Sequence, residues 1–272
     1  MKLISFVLDG KNTYGVVTDE KKVLDLGPLL GERFADLVSL LGNNDLSPVQ
    51  EALANNPATL DYDELELLPV IPQPGKIFCI GLNYADHVKE TNREVTESPT
   101  IFLRVAESQV AHNDSIVLPP ESVKLDYEGE IAIVIGKGGR RISEEEAWDH
   151  IAGYACYNDG SIRDWQTATS QWGPGKNFWK TGGFGPWLVT ADEIKPGQEL
   201  TLVTRLNGQE MQRTTTKFLI HSIPRQIAYI STFLPLNAGD VIVTGTPGGV
   251  GAKRNPPVFM KEGDVVEIEV DA

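Results

Sequence analysis

The chain has 272 residues, with 38 acidic against 24 basic side chains and a formal net charge of −14. That balance argues against nucleic acid or an anionic membrane surface as a partner, although a local cation can still reverse the sign of a site and admit an anionic substrate. The length allows one large domain or a large and a small one, and no apolar run approaches the ~20 residues of a membrane span.

Residues 1–12 carry a single early Lys and a short apolar run broken by Asp9, the pattern of a first strand and not of a signal peptide. The expectation is a cytoplasmic protein. Residues 1–70 read as a small separate α/β unit. Leu3 to Val7 and Thr13 to Val17 are strands joined through Asp9-Gly10-Lys11-Asn12, a hairpin signal, and Val23 to Leu26 is a third. Helical patterning follows at Leu29, Leu30, Phe34, Leu37, Leu40 and Leu41, and again from Val49 to Leu53. Pro69, Pro72 and Pro74-Gly75 punctuate the join to a main domain over residues 71–272.

From Lys76 the chain is strand-rich. Ile77 to Ile80 is a buried strand, and Asn83 to Glu90 a short helix with Asn83 as its N-cap. Ile101 to Val105 is a further strand. Ser143-Glu144-Glu145-Glu146 carries a capping box and predicts a helix start. Thr201 to Leu206, Val241 to Val243 and Val265 to Val270 are strands. Strands and helices do not alternate regularly, so the expected class is α+β, mainly β, and not a doubly wound sheet. Cys79 and Cys156 sit in apolar, strand-like stretches without Cys-x-x-Cys spacing and read as buried thiols.

The chemistry centres on Lys124 to Gly136. In a strand alternate side chains share a face, so Asp126, Glu128 and Glu130 point one way; beyond residue 130 both faces are apolar, as in a strand buried on both sides. Crowded carboxylates at the edge of a core repel one another unless a cation is present. Two Glu at i and i+2, about 6–7 Å apart along a strand, can converge on one divalent ion, and an all-oxygen set favours Mg2+, Mn2+ or Ca2+ over zinc. The same spacing also fits a solvated edge strand. Asp159, at the end of the apolar stretch Gly153 to Tyr157, could supply a third carboxylate. Its other reading is a capped helix whose Asp and Arg pair at the surface.

His87 and Glu90 are i, i+3 neighbours on the helix, an arrangement that suits a general base activating water and equally a surface hydrogen bond. Pro174 to Trp187 and Val243 to Gly251 are Gly-rich segments that match neither a phosphate-binding loop nor a dinucleotide fingerprint; the first brings Lys176 near whatever it covers.

Six motifs occur in order: Gly81-Leu82-Asn83-Tyr84-Ala85-Asp86-His87-Val88-Lys89-Glu90, Asp126-Tyr127-Glu128-Gly129-Glu130, the run from Asn158 to Gln166, Gly175-Lys176-Asn177-Phe178, Gly185-Pro186-Trp187 and the run from Thr244 to Gly251. Together they resemble the fumarylacetoacetate hydrolase family over about residues 70–270. The resemblance implies a mixed β-sheet roll with flanking helices, usually dimeric, so a homodimer is expected. It implies Glu128, Glu130 and Asp159 as ligands of Mg2+ or Mn2+, with Asp126 at a family position that is not a ligand. It implies His87 and Glu90 as a water-activating dyad on a lid helix. Arg163, Gln166, Lys176 and Thr246 match positions that hold the substrate's carboxylate and keto oxygens, Lys176 adding positive charge where negative charge develops.

The implied activity is hydrolysis of a carbon–carbon bond in an acylpyruvate or related diketo acid. The competing reading is an isomerase or decarboxylase of the 2-hydroxyhepta-2,4-diene-1,7-dioate or oxaloacetate type, and a third is a protein whose ion is only structural. Three departures from the family pattern bear on substrate choice: Arg104 where relatives often carry Lys, Phe178-Trp179-Lys180-Thr181 where many read Phe-Asp-Thr, and Gly182-Gly183-Phe184.

Overall fold

The hairpin at Asp9-Gly10 forms with both residues at positive φ, pairing Leu8 with Lys11 across a two-residue loop. The computed structural model describes residues 1–271. Lys2–Leu8, Lys11–Val17 and Lys22–Asp25 form an antiparallel meander. The apolar pattern from Leu29 to Leu41 is split between a single turn, Gly27–Leu30, and the helix Leu37–Gly42, which Asp36 and Ser39 close with reciprocal bonds as a capping box. Leu37, Leu40 and Leu41 are buried against Leu3, Tyr14 and Val16 of the meander.

The meander continues into the rest of the molecule. Lys2 and Leu3 pair with Val189 and Leu188, and the sheet then runs through Ile151–Asp159, Gly129–Ile135, Val241–Val243, Ile77–Gly81 and Thr100–Arg104. Most neighbours are antiparallel, but Val241–Val243 runs parallel to Ile77–Gly81, so the sheet is mixed. A second antiparallel sheet of Gln209–Thr215, Thr201–Leu206 and Val266–Asp271 packs across it. The class is the expected one: α+β, dominated by a mixed sheet.

The central strands are buried on both faces. Cys79, Ala132, Val134 and Val243 point into one apolar cluster, and Phe78, Ile80, Ile131, Ile133 and Ile242 into the other, which the helix Ile223–Phe233 covers. This is why the sequence there reads as continuous Ile and Val.

Two local expectations are corrected. Ser143 does accept from Glu146 N–H (3.3 Å), yet no α-helix follows; a turn leads into one 3-10 turn, Ala147–His150, because the strand Ile151–Asp159 begins immediately after it. Asn83 does not cap the helix Ala85–Glu90, whose N-cap is Tyr84 without a side-chain bond. Asn83 is buried instead, donating to His221 O (3.1 Å) and Thr244 O (2.7 Å) and accepting from His221 N–H (2.8 Å).

The acidic stretch is also less continuous than its pattern predicts. Leu125–Asp126 pairs with Ser161–Ile162, and Gly129–Ile135 joins the main sheet. At the break side chains replace ladder bonds: Glu128 N–H donates to Asn158 Oδ1 and Gly129 N–H to Gln212 Oε1, each at 3.0 Å. A Cβ on Gly129 would collide with Thr204 of the second sheet, so the sheets meet closely at this point.

Candidate metal centre and active site

The register of Gly129–Ile135 against Ile151–Asp159 pairs Gly129 with Asn158, and Asp159 N–H donates to Glu128 O (2.8 Å). This brings together the three acids that the sequence singles out. Glu128, Glu130 and Asp159 each offer a carboxylate oxygen, and those atoms lie within 4.8 Å of one another. None of the three is more than 4% exposed, and burying such a group is costly unless cations or donors answer it.

The protein's own cations answer most of it. Lys176 Nζ lies 2.7 Å from Glu128 Oε2 and 2.6 Å from Asp159 Oδ2. Arg163 Nη1 is 2.6 Å from Glu128 Oε1, and its Nε is 2.8 Å from Asp126 Oδ2. Arg104 Nη1 is 2.5 Å from Asp159 Oδ1. Asp126 also accepts from Gly251 N–H (2.8 Å) and Ala252 N–H (2.9 Å), so it anchors Arg163 and the following loop. Among the described residues, four buried carboxylates thus face three cations, and Glu130 is the one without a salt-bridge partner; its Oε2 accepts from Gly245 N–H (2.5 Å).

The proton affinities follow. Burial works to raise Glu128, but Arg163 and Lys176 outweigh it and hold this carboxyl well below the usual range. Glu130 goes the other way: burial first, then repulsion from Asp159 and Glu128, pushes it well above that range, against the opposing pull of Lys176 and Gly245 N–H. Burial alone would lower Lys176, yet Asp159 and Glu128 raise it, so it stays an ammonium. Three converging carboxylates, two of them bridged by an ammonium and the third without a counter-cation, match the donor set of an oxygen-liganded divalent cation. The residues fit Mg2+ or Mn2+.

The helix Ala85–Glu90 carries His87 and Glu90. His87 Nδ1 is 2.8 Å from Glu90 Oε1, and Glu90 Oε2 accepts from Gly249 N–H (2.9 Å). His87, the triad glutamates, Arg163, Gln166, Lys176 and Thr246 line one cavity of about 440 Å³. Gln166 Oε1 accepts from Arg163 Nη1 (2.9 Å). The Thr246 hydroxyl donates to Gly129 O (3.0 Å) and accepts from Gln212 Nε2 (2.9 Å), which leaves it one lone pair for a ligand. Arg163 Nη2 is buried and has no partner among the described residues. Phe102 and Trp172 form an apolar wall with ring centroids 5.6 Å apart, and Arg93, just beyond the helix, lies 5.5 Å over the Trp172 ring. A larger groove of about 860 Å³ lies elsewhere, against residues 110–116 and 260–266, and holds none of these acids.

Sequence reasoning missed Arg104 as part of the centre and Asp126 as the anchor of Arg163. The signal for Arg104 was present: it shares a strand face with Phe102, which packs inward.

The family model described as Fumarylacetoacetate (FAA) hydrolase C-terminal matches residues 76–272. The chain is 42% identical over 258 residues to the mitochondrial oxaloacetate tautomerase fahd2 of Xenopus laevis, covering 93% of this chain and 81% of that protein. Among solved structures it is similar to fumarylacetoacetate hydrolase from psychrophilic Exiguobacterium antarcticum, with a TM-score of 0.83 and 32% identity over 100% of this chain and 95% of that one. It is also similar to maleylpyruvate hydrolase from Sphingobium sp. SYK-6 in complex with manganese(II) ion and pyruvate, with a TM-score of 0.81 and 28% identity over 100% and 95%.

Proposed function

The chain belongs to the fumarylacetoacetate hydrolase family, and from that premise we propose that it is a divalent-metal-dependent hydrolase cleaving the carbon–carbon bond of an acylpyruvate or related diketo acid. The observation that carries this reading is that His87, paired with Glu90, lines the same cavity as Glu128 and Glu130 of the buried acid triad. Glu128, Glu130 and Asp159 would hold a divalent cation, which would supply Lewis-acid polarisation of neighbouring keto-acid oxygens.

The chain's own residues do the rest. Arg163 Nη2 is an unused, charged donor for the substrate carboxylate, with the Gln166 amide beside it. Glu90 holds His87 through Nδ1, which leaves Nε2 to take a proton from water for attack on the remote carbonyl. The Lys176 ammonium offsets negative charge that develops on the departing pyruvate-type fragment. The helix Ala85–Glu90 and the Phe102–Trp172 wall exclude bulk water.

A second reading, keto–enol isomerisation of a dicarboxylic keto acid, is favoured by the similarity to the oxaloacetate tautomerase over 93% of this chain. There His87 would shuttle a proton on carbon and water would not attack. Product analysis separates the two. Acetylpyruvate converted to acetate and pyruvate with Mg2+ present supports the hydrolase. Enol-oxaloacetate converted to its keto form without cleavage, with acetylpyruvate left intact, supports the tautomerase and overturns the hydrolase.

A further inference from the structure

Each acid of the triad has one oxygen held by a donor other than Lys176; the Lys176 ammonium meets the second oxygens of Glu128 (2.7 Å) and Asp159 (2.6 Å), which an arriving ion would take over. Glu128 Oε1 is held by Arg163, Glu130 Oε2 by Gly245 N–H, and Asp159 Oδ1 by Arg104. Arg163 lines the cavity, but Arg104 does not, and its side chain is 0% exposed. The Arg104 guanidinium is used in full. Nη1 also donates to Gly160 O (3.1 Å), Nη2 to Thr181 Oγ1 (2.9 Å) and Ser108 O (3.3 Å), and Nε to Ser108 Oγ (3.3 Å). A planar fork anchored at Ser108, Gly160 and Thr181 has no freedom to release Oδ1.

We propose that Arg104 is a positioning residue that removes one oxygen of Asp159 from coordination, so that three one-oxygen carboxylates shape the centre for Mg2+ or Mn2+ and against Ca2+. The ions differ in what they demand. Ca2+ takes six to eight oxygens at about 2.3–2.6 Å and gains from two-oxygen carboxylates, whereas Mg2+ requires six near-octahedral ligands at about 2.0–2.1 Å. With each carboxylate limited to one oxygen, the triad supplies three ligands, enough for half an octahedron. An Asp159 free to offer both oxygens would suit the larger ion.

The proposal rests on the metal-centre reading, and the test separates the two. Mg2+ and Ca2+ are titrated calorimetrically into the full chain, stripped of metal, for the wild type, Arg104→Lys and Thr181→Val. Arg104→Lys keeps the charge, but one ammonium cannot hold Asp159 Oδ1, Gly160 O, Ser108 O and Thr181 Oγ1 together. Loss of an outer partner of a metal ligand typically weakens binding by about 10–100-fold. Arg104→Lys is therefore expected to weaken Mg2+ by about tenfold or more, and Ca2+ by much less, moving the preference toward Ca2+. Equal weakening of both ions, or no change in either, overturns the role of Arg104. Should Arg104→Lys fail to fold, Thr181→Val decides, since it removes one anchor of the fork: a smaller shift in the same direction supports the proposal, and an unchanged ratio overturns it. A wild type that binds neither ion overturns the metal-centre reading itself.

Discussion

His87 Nδ1 lies 2.8 Å from Glu90 Oε1, and the second oxygen of Glu90 is fixed by Gly249 N–H, so the imidazole is oriented from the loop that faces its helix. A base held this way has its second nitrogen committed to the cavity. General acid–base groups contribute about 10²–10⁴-fold to rate. Glu90→Gln should lower hydrolytic turnover by about 10²-fold or more and leave Mg2+ affinity unchanged. Steady-state kinetics paired with a metal titration checks this, and a parallel loss of metal would assign the pair a structural role.

Lys176 bridges Glu128 and Asp159 from a buried position. Removing one member of a buried ion pair typically costs about 3–5 kcal/mol, because the partner charge stays behind. Lys176→Met should lower the melting temperature markedly without metal and recover part of the loss in excess Mg2+, as the ion takes over the carboxylates. Thermal denaturation with and without Mg2+ reads both effects. A variant as stable as wild type in chelator would contradict the charge balance described above.

Glu130 is raised well above its ordinary value of 4.5 by burial and by its acidic neighbours. A raised carboxyl binds its proton more tightly folded than unfolded. Its stabilising contribution is therefore full below about 4.5 and is lost as pH rises through the folded value. A divalent cation must displace that proton. Mg2+ binding should release protons wherever Glu130 is still protonated, with apparent affinity rising as pH rises, and the release should fade once Glu130 is ionised. Calorimetry in buffers of different ionisation enthalpy counts the protons, and zero release at every pH would refute the account.

Arg163 lines the cavity, and its buried Nη2 has no partner among the described residues while its other nitrogens hold Asp126 and Glu128. A hydrogen bond to a charged group is worth about 1.5–3 kcal/mol, or roughly tenfold or more in affinity. Arg163→Lys keeps the charge and loses the fork. It should raise KM by that factor for a substrate with a free carboxylate, and much less for the corresponding methyl ester. An equal change for acid and ester would remove Arg163 from carboxylate recognition.

The centre was legible where local pattern and burial coincide. Glu128 and Glu130 precede an uninterrupted apolar strand, Asp159 ends another, and the pairing of those two strands sets them side by side. What stayed hidden depends on partners far away in sequence. Arg104 reads as one charge in a strand until Asp159, 55 residues on, takes it. Asn83 looks like a cap, but its polar atoms are claimed by His221 and Thr244, more than 130 residues away. The Ser143–Glu146 bonds form as their spacing predicts, yet the strand that follows leaves no room for a helix. The pairing of Lys2–Leu8 with Leu188–Thr190 likewise has no trace in either segment alone.

The most direct test of the centre is Mg2+ titration of wild type and Glu130→Gln, read by calorimetry beside metal-free thermal stability. Gln keeps the shape of Glu130 and cannot take up the negative charge that two buried acids repel. The account predicts that Mg2+ binding is lost while metal-free stability holds or rises, so that the loss is not a folding defect. Mg2+ binding that survives Glu130→Gln unchanged would contradict the assignment of this triad as the metal site.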